Sequence, residues 1–381
     1  MIQEGETAVE NNRIGILGAS GQVGGGAVET MLAATDCPVV LGGRNLEKLR
    51  EQYQHAEARI DFMYVDVYDS DSLGRFCEKC AIVINCAGPS KQILDRVAAA
   101  SIRHRAHYVD VSGDEHLYKR LLNRQRDIEE KQLSCIVSAG VYPGLSEIFP
   151  AYIAETYFDD IDSLELFFAG NGDFSVNAAY DIVCSIQEDT GLGMAYCKNG
   201  ETSRIDRPFH RSYRMPSPAG EREAYPILHY EFLAAARAYR FTSALFYNTY
   251  EDPSILNKFV MIKALEQYKT EEQKQASARM LVEQFGTYRQ QAKEYTMFHL
   301  LATGCKSGTP LRLVSTLLYN KDWNTLSGMV AAHAARLVME DDKRVPGCYV
   351  AMEGICPVKM MNLLGEWNVD LTHTFTEVGQ G

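Results

Sequence analysis

The sequence predicts an α/β fold: a doubly wound parallel sheet followed by an α+β region. Three observations carry this. The run RIGILGASGQVG at 13–24 sends an apolar strand into spaced glycines. Apolar runs and helical patterns then alternate six times to about residue 140, as in a sheet covered by helices on both faces. Beyond Ser163 the alternation gives way to period-two strands and longer amphipathic stretches.

Length and composition agree with two domains. The chain has 381 residues, 46% of them hydrophobic, enough for two cores. A formal charge of −12 argues against a nucleic-acid or anionic-membrane surface, since such partners require a basic patch. Small molecules or proteins are the expected partners. No leader-like stretch and no run of about 18 apolar residues is seen, so a cytoplasmic location is expected. The ten cysteines lie inside apparent strands and helices, which reads as reduced, buried thiols. Cys77 and Cys80 have CxxC spacing but no second pair. No metal site is expected.

Residues 1–12 are polar and aperiodic, an arm before the first strand. In the glycine loop, Gly18 allows a tight turn, Gly21 a close approach to pyrophosphate, and Gly24 packs helix on sheet. Ala19, Ser20, Gln22 and Val23 supply the amides that would hold phosphate oxygens. The spacing is GxxGxxG rather than GxGxxG, and an ordinary tight turn is the other reading. The second strand, from Pro38, ends at Gly42-Gly43-Arg44-Asn45. An NAD site would usually place a carboxylate there. Arg44 and Asn45 instead suit a 2′-phosphate and select NADP(H); a solvated arginine is the alternative.

The third strand ends near Asp66 and Val67, where the adenine is expected. The fourth, AIVINCAG, is apolar throughout, as a strand buried on both faces requires. Its end, Cys86, Ala87, Gly88 and Pro89, leaves room for ligand at the sheet's switch point. A helix over SKQILDRVAAASI leads to the fifth strand, HYVDVSGD, whose Ser112 and Gly113 are assigned to the cofactor. One helix over EHLYKRLLNRQRDIEEKQ leads to the sixth, SCIVSAG, and then the turn VYPGLS. His104 and His107 straddle a helix end and a strand start, too poorly placed to share a metal.

Further on, SLELFFAGNG reads as a strand and VNAAYDIVCSIQ as a helix. Residues 198–227, with Arg204, Arg207, Arg211, Arg214 and Arg222 among prolines, read as a long loop that could clamp a substrate carboxylate. Residues 267–295 predict an amphipathic helix on a sheet face, and 297–319 a hairpin. A helix at 325–341 carries His333 on an alanine face, which reads as a packed core histidine.

The glycine loop with GGRN, the INCAGP strand end, YVDVSGD, GVYPGLS, and AAHAARLV followed by PGCYVAMEG together resemble the saccharopine dehydrogenase family. The resemblance is thin between about residues 175 and 295. It implies an NADP-binding Rossmann domain (1–145), an inserted α+β substrate and dimerisation domain (146–342), and a C-terminal segment (343–381) packing back on the first. Met360, Met361, Leu363, Leu364 and Trp367 share one helical face of that segment. It also implies a homodimer that reduces a carbon–nitrogen double bond of an amino-acid-derived or carrier-bound intermediate. A trans-acting enoyl reductase and a non-catalytic NADP(H)-binding regulator are the alternatives. A reductase requires a proton donor beside the nicotinamide, and Tyr142, Asp114 and His229 are the candidates. Asp114 reads also as a helix N-cap.

Overall fold

The computed structural model describes residues 12–188, 190–206, 211–250, 254–289 and 293–377. The arm at 1–11 and Arg207 lie outside the described residues.

The first region alternates strand and helix: β1 (Ile14–Leu17), α1 (Gln22–Ala34), β2 (Val39–Gly43), α2 (Leu46–Tyr53), β3 (Ile60–Tyr64), α3 (Ser70–Glu78) and β4 (Ile82–Asn85). It continues with α4 (Ser90–Ile93), α5 (Arg96–Arg103), β5 (His107–Asp110), α6 (Glu115–Leu122), α7 (Gln125–Glu130), β6 (Ser134–Val137) and α8 (Leu145–Tyr157). β1, β4 and β6 are buried along their whole length, hence their unbroken apolar runs. The parallel order is β6-β5-β4-β1-β2-β3, so the strand order switches sides between β1 and β4. Two helices predicted as single are each broken in two. Leu94 adopts φ 54 between α4 and α5, and α4 is anchored separately because a carboxylate from another helix takes its first amides. α6 ends at Asn123, and Arg124, ion-paired to Asp95 of the α4–α5 link, opens α7.

The second region holds β7 (Asp160–Asn171), α9 (Val176–Glu188), β8 (Leu192–Gly193), β9 (Ala195–Lys198), β10 (Glu201–Arg204), β11 (Ser212–Arg214), β12 (Glu221–Leu228), α10 (Tyr230–Ala238) and β13 (Ser243–Tyr250). Then come α11 (Ser254–Ala264), α12 (Glu271–Arg289), β14 (Tyr295–Lys306) and β15 (Thr309–Tyr319). Its main sheet runs β10-β9-β13-β7-β14-β15, with β12 joined to β13. The hairpin is β14–β15. The residues expected to form a long arginine loop form strands instead. Arg211 is ion-paired to Glu165 and lies over the rings of Phe167, Tyr213 and Tyr247, and Arg222 donates to the Tyr295 hydroxyl. Arg204 and Arg214 are exposed in β10 and β11. The prolines there mark the turn Pro216–Gly220 between β11 and β12, where Ala219 N and Gly220 N donate to Pro216 O, and Arg211 and Arg222 brace the sheet. α12 does not cover a sheet face; it packs on α9 and α11 around Ala179, Val183, Ile262 and Leu281.

The remaining elements are α13 (Trp323–Glu340), β16 (Gly347–Val350), α14 (Ala351–Gly354), α15 (Pro357–Glu366) and β17 (Val369–Glu377). α13, expected with the second region, runs along α1 at backbone contact. A Cβ on Gly328 would lie 2.0 Å from Val23 O, and one on Gly26 2.5 Å from Thr325 O. Its His333 is fully buried and packs against Trp367. β16 adds a seventh parallel strand beside β6, so the chain does return to the first sheet. α15 buries Met360, Met361 and Leu364 against α8 of the first region and against α13. Only β17 departs from expectation: it pairs with β15 of the second region, from Leu311↔Glu377 to Tyr319↔Val369. The edge of β15 offers unpaired backbone groups, and a polar–apolar alternating strand satisfies them. None of the described helices is long and apolar enough to cross a membrane.

Candidate functional site

The cofactor edge is built from backbone. Gly18 adopts φ +76, and a Cβ there would meet Cys86 O at 2.6 Å and Ala87 N at 2.7 Å. A Cβ on Gly24 would lie 2.2 Å from Gly18 O. Only glycine lets the turn close onto the end of β4. Gly21 is the N-cap of α1 with no side-chain cap, and the first turn has no acidic residue. The opening amides of Gln22, Val23 and Gly24 are therefore left for an anion. Ala19 is buried and its carbonyl accepts the Tyr53 hydroxyl at 2.8 Å, which pins the turn, while Ser20 is half-buried. Gln22 is held by Asp173 of the second region and by Asn324 of α13.

Arg44, exposed at the end of β2, makes no hydrogen bond or ion pair among the described residues. The side chain of Asn45 caps α2, accepting Lys48 N at 3.0 Å. Asp66 accepts Tyr68 N at 2.9 Å and Val67 is half-buried beside it. These groups lie at the ends of β2 and β3, as an adenosine 2′-phosphate end requires. The uncapped amides, the glycine cradle and the free guanidinium fit NADP(H).

At the ends of β4 and β5, Cys86 N donates to Leu17 O, Ala87 N to Asn85 Oδ1, and Gly88 faces Asn177. Pro89 is the N-cap of α4. The Cys86 thiol is pushed up by burial and is no nucleophile. Ser112 and Gly113 donate their amides to Asp110 Oδ1 at 3.0 and 2.6 Å. Asp110 is completely enclosed with Asn85 and Tyr108, and burial pushes its carboxyl up. Sequence reasoning missed this network, although Asp110 stands inside YVDVSGD.

Asp114 is held by two contacts. It caps α6, accepting His116 N at 3.0 Å, and its second oxygen is 2.5 Å from Lys91 Nζ. Lys91 also pairs with Glu188 at 2.5 Å. Asp181 of α9 accepts Ser90 N, Ser90 Oγ and Lys91 N, and burial pushes it up to about 6.

Tyr142 and His229 do come together. Their ring centroids are 4.9 Å apart, with Phe168 and Phe246 also around Tyr142. Burial pushes the Tyr142 phenol well up, so it stays neutral. His229 Nε2 is 2.7 Å from Glu147 Oε1, and Glu147 Oε2 accepts Gly144 N at 2.6 Å at the start of α8. His229 Nδ1 is buried and has no hydrogen-bond partner among the described residues. Glu231, two residues on, is buried, and burial followed by the Glu147 charge pushes it up to about 7. Ser138, at the end of β6, reaches both Gly113 O and Glu231 Oε1, joining this cluster to the β5 end. Glu147 and Glu231 were also missed. Glu147 stands three residues past a helix-opening glycine, a capping position readable in GLSE; Glu231 carries no local signal. Among the described residues no group of three or more His, Cys, Asp or Glu is placed to hold a metal.

Residues 14–136 match the saccharopine dehydrogenase NADP binding domain. A probable mitochondrial saccharopine dehydrogenase-like oxidoreductase of Arabidopsis thaliana is 31% identical over 137 residues, 32% of this chain and 30% of that protein. A lipid droplet localized protein of Caenorhabditis elegans is 23% identical over 43% of this chain and 42% of its own. The matches thus span less than half the length of either curated relative. Among solved structures, the apo saccharopine dehydrogenase (L-Glu forming) of Saccharomyces cerevisiae superposes with a TM-score of 0.70 at 15% identity. That match covers 96% of this chain and 100% of the other; at that identity it shows the fold.

Proposed function

We propose, from the premise that by its nucleotide-binding domain and fold the chain belongs to the saccharopine dehydrogenase family, that it is an NADPH-dependent reductase of a carbon–nitrogen double bond. The substrate is a small amino-acid-derived imine, free or held on a carrier protein. NADPH, when bound, supplies the hydride.

The observation that carries this reading is the excess of carboxyl groups where β4, β5 and β6 end. Asp114, Glu147, Asp181 and Glu188 gather there against Lys91, His116 and His229. Lys91 is already shared between two carboxylates. Such a site favours a cation, and an iminium is one. A thioester enolate would find carboxylates instead of the donors it requires. Glu147, fixed by the Gly144 amide, orients His229 through Nε2. In its neutral form His229 then presents a lone pair at Nδ1, fit to accept the iminium N–H. Tyr142, Phe168 and Phe246 wall off water, which strengthens these contacts.

The test is NADPH consumption with two panels, cyclic or amino-acid-derived imines and α,β-unsaturated thioesters, each free and carrier-bound. Turnover of imines alone is expected. Turnover of thioesters alone overturns the reading, and tight NADPH binding without turnover of either makes the chain a regulator.

A further inference from the structure

Ser138 Oγ makes two contacts with only one hydrogen to give. It lies 2.6 Å from the Gly113 carbonyl oxygen and 3.1 Å from Glu231 Oε1. A carbonyl cannot donate, so the Ser138 hydrogen belongs to Gly113 O. The contact with Glu231 is then a hydrogen bond only if the carboxyl carries the proton. From this hydrogen inventory we infer that Glu231 is a proton-carrying carboxylic acid in the resting site and stores the proton that converts an incoming imine to its iminium, passing it through Ser138. The inference rests on the imine reading for its chemistry and on geometry for its protonation state.

The surroundings agree. Glu231 is 4% exposed. The groups facing it are Ser138 after β6, Tyr142 and Glu147 at the start of α8, Asp114 at the start of α6, and His229 and Tyr230 on its own helix. Glu147 and Asp114 oppose a further negative charge. His229 and the amides opening α10 favour one, but the carboxyl still sits up at about 7 because burial outweighs them. The two glutamates thus divide the work. Glu147 accepts hydrogen bonds from Gly144 N and His229 Nε2, while Glu231 holds a proton.

The transfer balances. The Oε–H bond of Glu231 breaks as Ser138 Oγ takes that proton. In the same step the Ser138 hydroxyl turns its own hydrogen from Gly113 O to the imine nitrogen, and that O–H bond breaks as its proton joins the nitrogen lone pair, so the hydroxyl is kept. A neutral acid and a neutral imine become a carboxylate and an iminium, an ion pair formed within the site. Glu231 acts through Ser138 and is a positioning and proton-storing residue.

Infrared difference titration of the NADP⁺-bound enzyme, without substrate, tests the protonation state. We expect a protonated-carboxyl C=O band that disappears with a midpoint near 7 and is missing in Glu231→Gln. A spectrum in which Glu231→Gln removes no such band overturns the inference, whatever reaction the protein catalyses. Turnover of the accepted imine tests the relay. Glu231→Gln and Ser138→Ala should each lose about 10²-fold or more, with NADPH affinity unchanged as the folding control. The wild-type rate should fall on the alkaline side with the same midpoint. Full turnover in Ser138→Ala overturns the relay. Failure of every imine in the panel, with the band present, counts against the reaction and leaves the stored proton standing.

Discussion

The cofactor edge and the proton-handling cluster meet at the ends of β4–β6 but are made from different materials. At the edge, function resides in backbone: a left-handed Gly18, a Gly24 with no room for a Cβ, and uncapped amides opening α1. Neighbouring residues in sequence build it. The cluster is made of side chains from β6, α8 and α10, with Ser138, Glu147 and Glu231 up to 93 positions apart. An anion cradle can be assembled locally, whereas a shifted carboxyl requires the burial that only distant packing supplies.

If the cluster is separate in function, its loss should leave the edge intact. His229→Asn is expected to lower kcat/KM for the accepted imine about 10²- to 10⁴-fold with the NADPH dissociation constant unchanged. Steady-state kinetics beside a fluorescence titration measures both, and a parallel loss of NADPH affinity breaks the distinction. The converse variant acts on the edge alone. Arg44→Ala removes a charge-assisted phosphate contact worth about 1.5 to 3 kcal/mol, so NADPH should bind roughly 10- to 150-fold more weakly and NADH almost as before. Equal losses would remove Arg44 from the 2′-phosphate site.

A smaller effect sharpens the comparison by separating site pH dependence from that of the fold. His333, enclosed in α13, is held down at about 4 by burial and by Arg336. The unfolded chain titrates at about 6.5 and takes up the proton first as pH falls. Stability is therefore full above about 6.5 and declines toward 4. His333→Leu should remove about 2 kcal/mol of the loss between pH of about 6.5 and 5, measured by urea midpoints. His107 and His299, also held at about 4 by burial, keep a residual slope. An unchanged slope in the variant would place the acid sensitivity elsewhere.

What could be read from sequence follows the same division. The six alternating strands and the turns GASGQVG and INCAGP were legible because strand and tight turn are local patterns. The arginine-bearing segment at 198–227 misled because proline and charge suggest a loop, while the pairing of β12 with β13 and the Glu165–Arg211 contact are long-range. β17 was misplaced for a related reason: nothing in VDLTHTFTE says which sheet has the open edge. Tyr142 and His229 could be nominated, but their ring contact and the Glu147 bond to His229 could not, and the Lys91 pair beside the Asp114 cap joins two distant segments.

The most direct test of a single site shared by edge and cluster is a crystal structure with NADP⁺ bound. The nicotinamide C4 is expected to face His229 Nδ1 across a space that one C=N group fills, with the 2′-phosphate on Arg44. A nicotinamide turned away from His229 and Glu231 would contradict the account.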